Sequence, residues 1–377
     1  ALRQDKVGCY HNSGISLTPN IDKIAESGVI FEKNYTVMNA TIPSHTSLFT
    51  GSYPTTHGIR KNGWKIKANI PILAEVLQKE GFETVGAVGV ETLSSYYGFA
   101  KGFDTFFDNS KYDRLTYYLA KIGWKRYTLA KALQHLNIFD THSRNCWDIN
   151  KDILNWLDNN STKKIFMFVH YFDLHADTFG GKKTLKEKLP NYDENVKVID
   201  QAVQQVIDKL QEKSILEETM IIFVADHGEC LDPAKDLGHG REISEEEFCV
   251  PLIISYPKQL SKKRVSNLTR NIDIMPTVLE MTKTPVYFSM DGVSLVNTIL
   301  NDKEATKEAY LESYPGFKDI KGLRTTNWFY ILENGQKEML FQVNHDPSLK
   351  NNIVSENKQL ALELKVKLKK HFELPYE

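Results

Sequence analysis

Thiols are scarce and scattered in this chain. Its cysteines are Cys9, Cys146, Cys230 and Cys249, and no two of them form a CxxC pair. That spacing argues against a zinc–thiolate site, gives little support to a disulfide framework and favours a reducing compartment. No apolar run reaches the ~20 residues that a membrane-spanning helix requires, and no secretory leader is visible. The expectation is therefore a cytoplasmic protein without a membrane partner. The chain opens at Ala1-Leu2-Arg3 without an initiator methionine, which reads as a start partway through a structural unit, with room for an upstream leader or anchor. Neither sign of charge is in excess: 47 Lys and Arg against 48 Asp and Glu leave a net −1. Nucleic acid is accordingly not an expected partner. Internal repeats and low-complexity tracts are also lacking, and nothing in the sequence speaks to oligomeric state.

What is present describes an ordinary globular protein. At 377 residues and 41% hydrophobic content the chain can bury a large core, as one big α/β domain with a smaller appendage or as two domains. Helical and strand-like stretches alternate. Leu17 to Gly28 reads as a short helix with Thr18 as cap and Pro19 in the first turn, followed by a strand at Val29-Ile30-Phe31. Pro71 to Lys79 has amphipathic spacing and precedes an apolar run from Thr84 to Val90. Further apolar runs at 164–172, 219–225 and 250–256 read as buried strands, with helical periodicity from Val196 to Leu210 and from Ile272 to Met281. The aromatic-rich stretch of about 110–160 reads as a packed helical insertion. From about Ala309 the chain is polar, with short strand-like runs such as Trp328 to Leu332, and it ends in a Lys-rich helix from Leu360 to Phe372. Such alternation predicts a sheet covered by helices on its faces.

The candidate chemistry gathers at element ends. Asn39 to Gly51 reads as a loop turning into a short helix, with Pro43 at its first position and Thr50-Gly51 as its stop. A helix N-terminus attracts an oxyanion, and Thr41 brings a hydroxyl to that end. Alone, the segment fits an N-cap threonine better than a nucleophile. In open α/β sheets ligands bind beyond the carboxyl ends of strands, and two predicted strands finish there in acid–imidazole pairs: Asp173 with His175, and Asp226 with His227. Asp226-His227 is the stronger pair. A carboxylate beside an imidazole suits zinc, manganese or another divalent metal, provided Gly228 lets the backbone leave the strand so that both side chains face one ion. His170, inside an apolar strand, reads as a packed core histidine. His45 lies one turn along the Thr41 helix, and His239 sits between two glycines with little to pack it. Glu245, Glu246 and Glu247 read as a solvated charge run or a first helical turn.

Taken together, these segments resemble the sulfatase-like branch of the alkaline phosphatase superfamily over essentially the whole chain. The nucleophile motif of that branch, Cys/Ser/Thr-x-Pro-Ser-Arg/His followed by Leu-x-Thr-Gly, is matched by Thr41 to His45 and by Leu48 to Gly51. Thr18-Pro19-Asn20-Ile21-Asp22, Tyr53-Pro54, His57-Gly58, Val169 to His175, Asp226 to Glu229, Gly238-His239-Gly240, Val250 to Ile254 and Asp273 to Thr277 continue the series in the family's order. The resemblance implies an alkaline-phosphatase-like, mostly parallel sheet flanked by helices over residues 1–300, with a small C-terminal α+β subdomain over 301–377.

It also implies roles. Asp226 and His227 would be metal ligands and Thr41 both ligand and nucleophile, while His45, Asn62, His175 and His239 would face the substrate's tetrahedral anion. His45 stands where the strict motif has Arg, and His239 where relatives often have Lys, so fixed positive charge is reduced and binding would follow imidazole protonation. A further ligand Asp of the family would fall immediately before Ala1, so the chain as given would lack one ligand and be impaired. Formylglycine chemistry starts from Cys or Ser; a threonine could yield only a ketone, so a Thr41 alkoxide points instead to phosphate esters, phosphodiesters or phosphonates. The implied mechanism is a hydrolysis in which a divalent metal (Zn, Mn, Ca or Mg) activates Thr41 for in-line attack and His239 or His175 protonates the leaving oxygen. One metal is expected rather than two; a second would use Asp173, His175 and His239. The substrate would be a small-molecule, glycan or lipid ester of phosphate, phosphonate or sulfate. The alternatives are a phosphoethanolamine- or phosphoglycerol-type transferase, or a binding protein that has kept the fold and lost the chemistry.

Overall fold

The computed structural model describes residues 1–11, 14–108, 143–160, 164–175, 185–232, 238–313, 318–346 and 348–373, with the backbone alone for 185–190. By contact the chain divides into two compact units, residues 1–64 with 210–377, and residues 65–209. In chain order the elements begin with α1 (Pro19–Glu26), β1 (Gly28–Tyr35), α2 (Thr41–Thr50) and α3 (Pro54–His57). Next come α4 (Leu73–Lys79), β2 (Glu83–Val88), β3 (Thr105–Phe107), α5 (Cys146–Asn159), β4 (Ile165–His170) and α6 (Leu185–Glu212). The return to the first unit brings β5 (Ile221–Val224), α7 (Glu245–Phe248), β6 (Leu252–Ser255), β7 (Lys263–Arg270), α8 (Ile274–Met281) and α9 (Val296–Asn301). The chain closes with β8 (Glu308–Glu312), β9 (Ile320–Thr325), β10 (Trp328–Glu333), β11 (Lys337–Gln342) and α10 (Lys358–Phe372). Most of the expected helical insertion, residues 109–142, lies outside the described residues; its last part is α5.

The larger unit carries a sheet of order β5-β6-β1-β7, in which β1 runs parallel to β7 and β6 runs antiparallel to both β5 and β1. Gly28 begins β1 because a side chain there would meet the Ile254 carbonyl oxygen at 2.7 Å, just where β1 and β6 pair. The smaller unit has an all-parallel sheet, β3-β2-β4. Together with the flanking helices this is the mixed α/β architecture expected from the alternation of elements. The C-terminal sheet is an antiparallel meander, β11-β10-β9-β8. One of its clusters packs Ala309, Leu311 and Phe329 with Tyr35, Phe248 and Leu268. Another sets Leu323, Tyr330 and Leu340 against Leu364 and Leu368 of α10. Polar clamps reinforce the first: buried Arg324 donates from Nε to the Tyr35 hydroxyl (2.9 Å), which donates to Glu245 Oε2 (2.6 Å).

Helix α2 is buried on all sides, a costly place for its serines and threonines unless each finds a partner. The Thr46 hydroxyl donates back to the Ile42 carbonyl (2.7 Å) and the Thr50 hydroxyl to Thr46 (2.7 Å). Gly51, at φ +62°, ends the helix in the left-handed conformation that glycine adopts without a steric penalty.

Helix α10 is seated through His371. Its ring stacks on Tyr310 at 4.0 Å and meets Tyr53 edge-on at 4.5 Å, and its buried Nε2 has no hydrogen-bond partner among the described residues. Burial pushes this imidazole down to about 4 against the pull of Asp291, with a smaller push from Arg270. The folded protein thus keeps the ring neutral while the unfolded chain protonates it from about pH 6.5 downward, so stability falls between those values and is fully present above them. Replacing His371 by Phe should leave the melting temperature at pH 7 close to wild type. At pH 5 it should remove about 2 kcal/mol of acid destabilisation, the share of one group over that window. Thermal unfolding at both pH values checks this; equal acid sensitivity in the two proteins contradicts it.

Candidate active site

Strand β5 stops at Val224, and two residues later the backbone has left the sheet. There Asp226 Oδ1 accepts from the amide of His227 (2.9 Å) and from the amino group of Ala1 (2.9 Å). Its other oxygen, Oδ2, faces His227 Nε2 at 3.3 Å and His45 Nδ1 at 3.6 Å. The His227 ring is oriented from behind: Nδ1 lies 2.8 Å from the Gly228 carbonyl, which can only accept, so Nδ1 carries the proton and Nε2 presents a lone pair. Gly228 is needed because a side chain there would fall on the Glu246 carbonyl; its amide donates to the Glu247 carbonyl (2.7 Å). Burial lowers His227 well below the usual imidazole range, opposed by Asp226. Burial works to raise Asp226, but its surroundings, His227 foremost with the Ala1 amino group and His45, hold its carboxyl well below the usual range. An ionised carboxylate and a neutral imidazole thus turn acceptor atoms toward each other.

The Thr41 helix is fastened to this corner. The Ser44 hydroxyl donates to the Asp226 carbonyl (2.7 Å), and His45 Nδ1 reaches the Thr41 carbonyl (2.8 Å) from the same nitrogen that faces Asp226. Thr41 is the first residue of α2 and Ala40 occupies the cap position, so the capping role open to Thr41 in the sequence is not the one it takes. Asn62 caps instead, its Oδ1 accepting from the Ile42 amide (2.9 Å). Pro43, expected at the first helical position, is the third, and it contributes no N–H. The helix end therefore offers an anion fewer amides than the sequence suggested. The Thr41 side chain is nearly buried, and its hydroxyl has no hydrogen-bond partner among the described residues.

His239 lies between Gly238 (φ +107°) and Gly240 (φ +85°), and the bridge between Cys230 and Gly238 closes its loop. Its ring sits 4.1 Å from that of His227, and Nδ1 is 3.2 Å from both oxygens of Glu229. Glu229 therefore fixes which nitrogen points away, and it offers a counter-charge to the protonated ring. Glu229 stands in the Asp226 to Glu229 motif without a role assigned from the sequence, and its ten-residue distance from His239 gives no sign of this contact. Glu247 was read as part of a solvated run. Residues 245–248 are indeed a helical turn, yet the Glu247 side chain is fully buried, accepting from Asn39 Nδ2 (2.7 Å) and the Gly240 amide (2.9 Å). Burial, with Glu229 and Glu242 behind it, pushes this carboxyl up to about 8.

Asp173 and His175 belong to the smaller unit, just past β4. Asp173 Oδ1 accepts from the Cys146 amide at the start of α5 (2.9 Å), and its carbonyl accepts from Asn195 Nδ2 (3.1 Å). Burial raises the Asp173 carboxyl. The His175 ring rests on Phe172 at 4.4 Å. His170 accepts from the Gly89 amide (3.4 Å) and lies among Phe168 and Phe172, but it is half-buried, as is all of β4, and not the core histidine the apolar run suggested.

An acid–imidazole corner beside a hydroxyl-bearing helix, on an α/β sheet, marks an ester hydrolase. The Sulfatase family model matches residues 1–284, and that of N-sulphoglucosamine sulphohydrolase, C-terminal, matches residues 238–374. The chain belongs to the sulfatase family, within the alkaline phosphatase superfamily. Delta 4,5-hexuronate-2-O-sulfatase of Bacteroides thetaiotaomicron is 22% identical over 95% of this chain and 83% of its own length. Choline-sulfatase of Rhizobium meliloti is 22% identical over 87% and 76%. Phosphonate monoester hydrolase of Agrobacterium radiobacter shares the fold with a TM-score of 0.77 at 17% identity, over 98% of this chain and 93% of that one.

The family implies a divalent metal, and the donors at Asp226 suit one. Two converging acceptors of the O/N type are the chemistry such an ion takes. Exchanging His227 for Ala should weaken binding of the preferred ion among Zn, Mn, Ca and Mg by roughly tenfold or more, the scale set even by outer-sphere partners. Equilibrium dialysis reads this out, and an unchanged dissociation constant contradicts it.

Proposed function

We propose that the protein hydrolyses a phosphoric-type ester, a phosphodiester or phosphonate monoester, with Thr41 as nucleophile. The observation that carries this reading is the Thr41 hydroxyl itself: nearly buried, without a partner among the described residues, on the turn that His45 and Ser44 fasten to Asp226. The fold commits every neighbouring hydroxyl of this helix to a hydrogen bond and leaves this one, at the helix start, free to act. Asp226, His227 and Thr41 would hold one divalent ion, which when bound supplies positive charge that lowers the hydroxyl's pKa and neutralises the transferring group.

The chain's own residues perform the rest. Thr41 Oγ, its proton already lost to solvent, forms a bond to phosphorus as the bond to the leaving alkoxide breaks in line, and the later break of the ester returns it as the alkoxide. His239, held by Glu229 through Nδ1, delivers the proton on Nε2 to that oxygen. Water then attacks phosphorus, the Thr41 ester bond breaks, and the now neutral ring takes a proton from the water. A sulfate ester of threonine lacks the second hydroxyl through which a hydrated aldehyde expels sulfate, so phosphorus suits this nucleophile better. His45 adds no fixed cation: burial lowers its imidazole, and Nδ1 is committed to an acceptor.

The test is a panel of 4-nitrophenyl sulfate, 4-nitrophenyl phosphate, bis(4-nitrophenyl) phosphate and 4-nitrophenyl phenylphosphonate with each divalent metal. The diester or the phosphonate should be turned over at least about tenfold faster than the sulfate. Thr41→Ala should lose about 10³-fold or more in kcat, as removal of a nucleophile does, and Thr41→Ser should stay within about tenfold of wild type. A preference for the sulfate overturns the substrate assignment, and an active Thr41→Ala variant overturns the nucleophile.

A further inference from the structure

One fully buried side chain touches the loops of both proposed reacting groups. Glu247 Oε2 accepts from the side chain of Asn39, two residues before Thr41, and from the amide of Gly240, one residue after His239. The Glu247 carbonyl accepts from Gly228, one residue after His227. Three functional loops thus share one anchor. Two of the three bonds end on one oxygen, while the buried Oε1 has no hydrogen-bond partner among the described residues. The anchor is rigid from below: Ser244 caps its helical turn, and Glu245 binds Tyr35 and Arg324. The Cys230–Gly238 bridge holds the main chain on one side of His239 and the Gly240–Glu247 bond holds it on the other, so Glu247 helps to fix where the imidazole stands.

We infer that Glu247 is a positioning residue that sets the separation of the Thr41 and His239 loops, so that the acid meets the leaving oxygen of the attacked ester. This rests on the roles given above to Thr41 and His239. What the anchor requires is one oxygen that accepts two N–H groups, in a side chain of glutamate's length. A glutamine supplies that oxygen; a leucine fills the space without it.

The test uses protein labelled at its histidines, with the His239 Cε1–H signal assigned through His239→Gln, and compares Glu247→Gln, Glu247→Leu and Asn39→Ala. In Glu247→Gln the His239 signal should stay in place and kcat remain within about threefold of wild type. In Glu247→Leu the signal should move or broaden while that of His57 stays fixed, and kcat should fall at least about tenfold with KM within about threefold. Asn39→Ala, which leaves Glu247 in place, covers the case in which the leucine variant fails to fold; it should lose kcat in the same way. An unmoved His239 signal in Glu247→Leu, equal damage from Gln and Leu, or wild-type kcat in Asn39→Ala overturns the inference. The spectrum remains decisive if no substrate of the panel is turned over, so failure of the functional reading and failure of this one are told apart.

Discussion

Two acceptor atoms facing each other across 3.3 Å, Asp226 Oδ2 and His227 Nε2, are the constraint from which the rest of the larger unit can be understood. Neither can donate while the imidazole is neutral, so their approach is favourable only with positive charge nearby. The fold maintains the arrangement from several sides. The Gly228 carbonyl fixes the ring, Ser44 holds the Asp226 main chain, and Asn271 and Thr36 hold Ser44 in a buried polar knot. Ser44 and Thr36 each share in more than one of these bonds, so the knot holds as a network rather than through a single contact.

The C-terminal sheet takes part in this support. Arg324 on β9 reaches Tyr35 at the end of β1 and Glu245 on α7, while Arg60 pairs with Glu312 on β8. The contacts of Arg324 and Tyr35 meet at Glu245, on the same short helical turn that carries Glu247. An appendage that looks peripheral in sequence thus steadies the loops on which the chemistry depends, through side chains that are themselves buried and paired.

Much of this was legible in the sequence, and the failures have physical reasons. Strands such as 221–224 and 252–255 and helices such as 274–281 were visible because apolar runs bounded by polar turns leave few alternatives. The Asp226-His227 corner was readable from its place past a strand end and from Gly228. The cap of α2 was not, because Asn62 reaches Ile42 across twenty residues of chain and spacing carries no trace of that. Glu247 was misread for a related reason: a triplet of glutamates looks solvated until the fold turns one of them inward onto Asn39 and Gly240. Glu229 and His239 are ten residues apart, and only the closed loop between Cys230 and Gly238 makes them neighbours.

The central claim is that Thr41, standing against the Asp226 corner, attacks the ester itself. The most direct measurement is the stereochemical course at phosphorus: hydrolysis of a chiral phosphorothioate diester in ¹⁸O-labelled water. Attack by Thr41 followed by attack of water is two in-line displacements, and the account predicts net retention of configuration. Net inversion would mean that water attacks the substrate directly and that Thr41 is not the nucleophile.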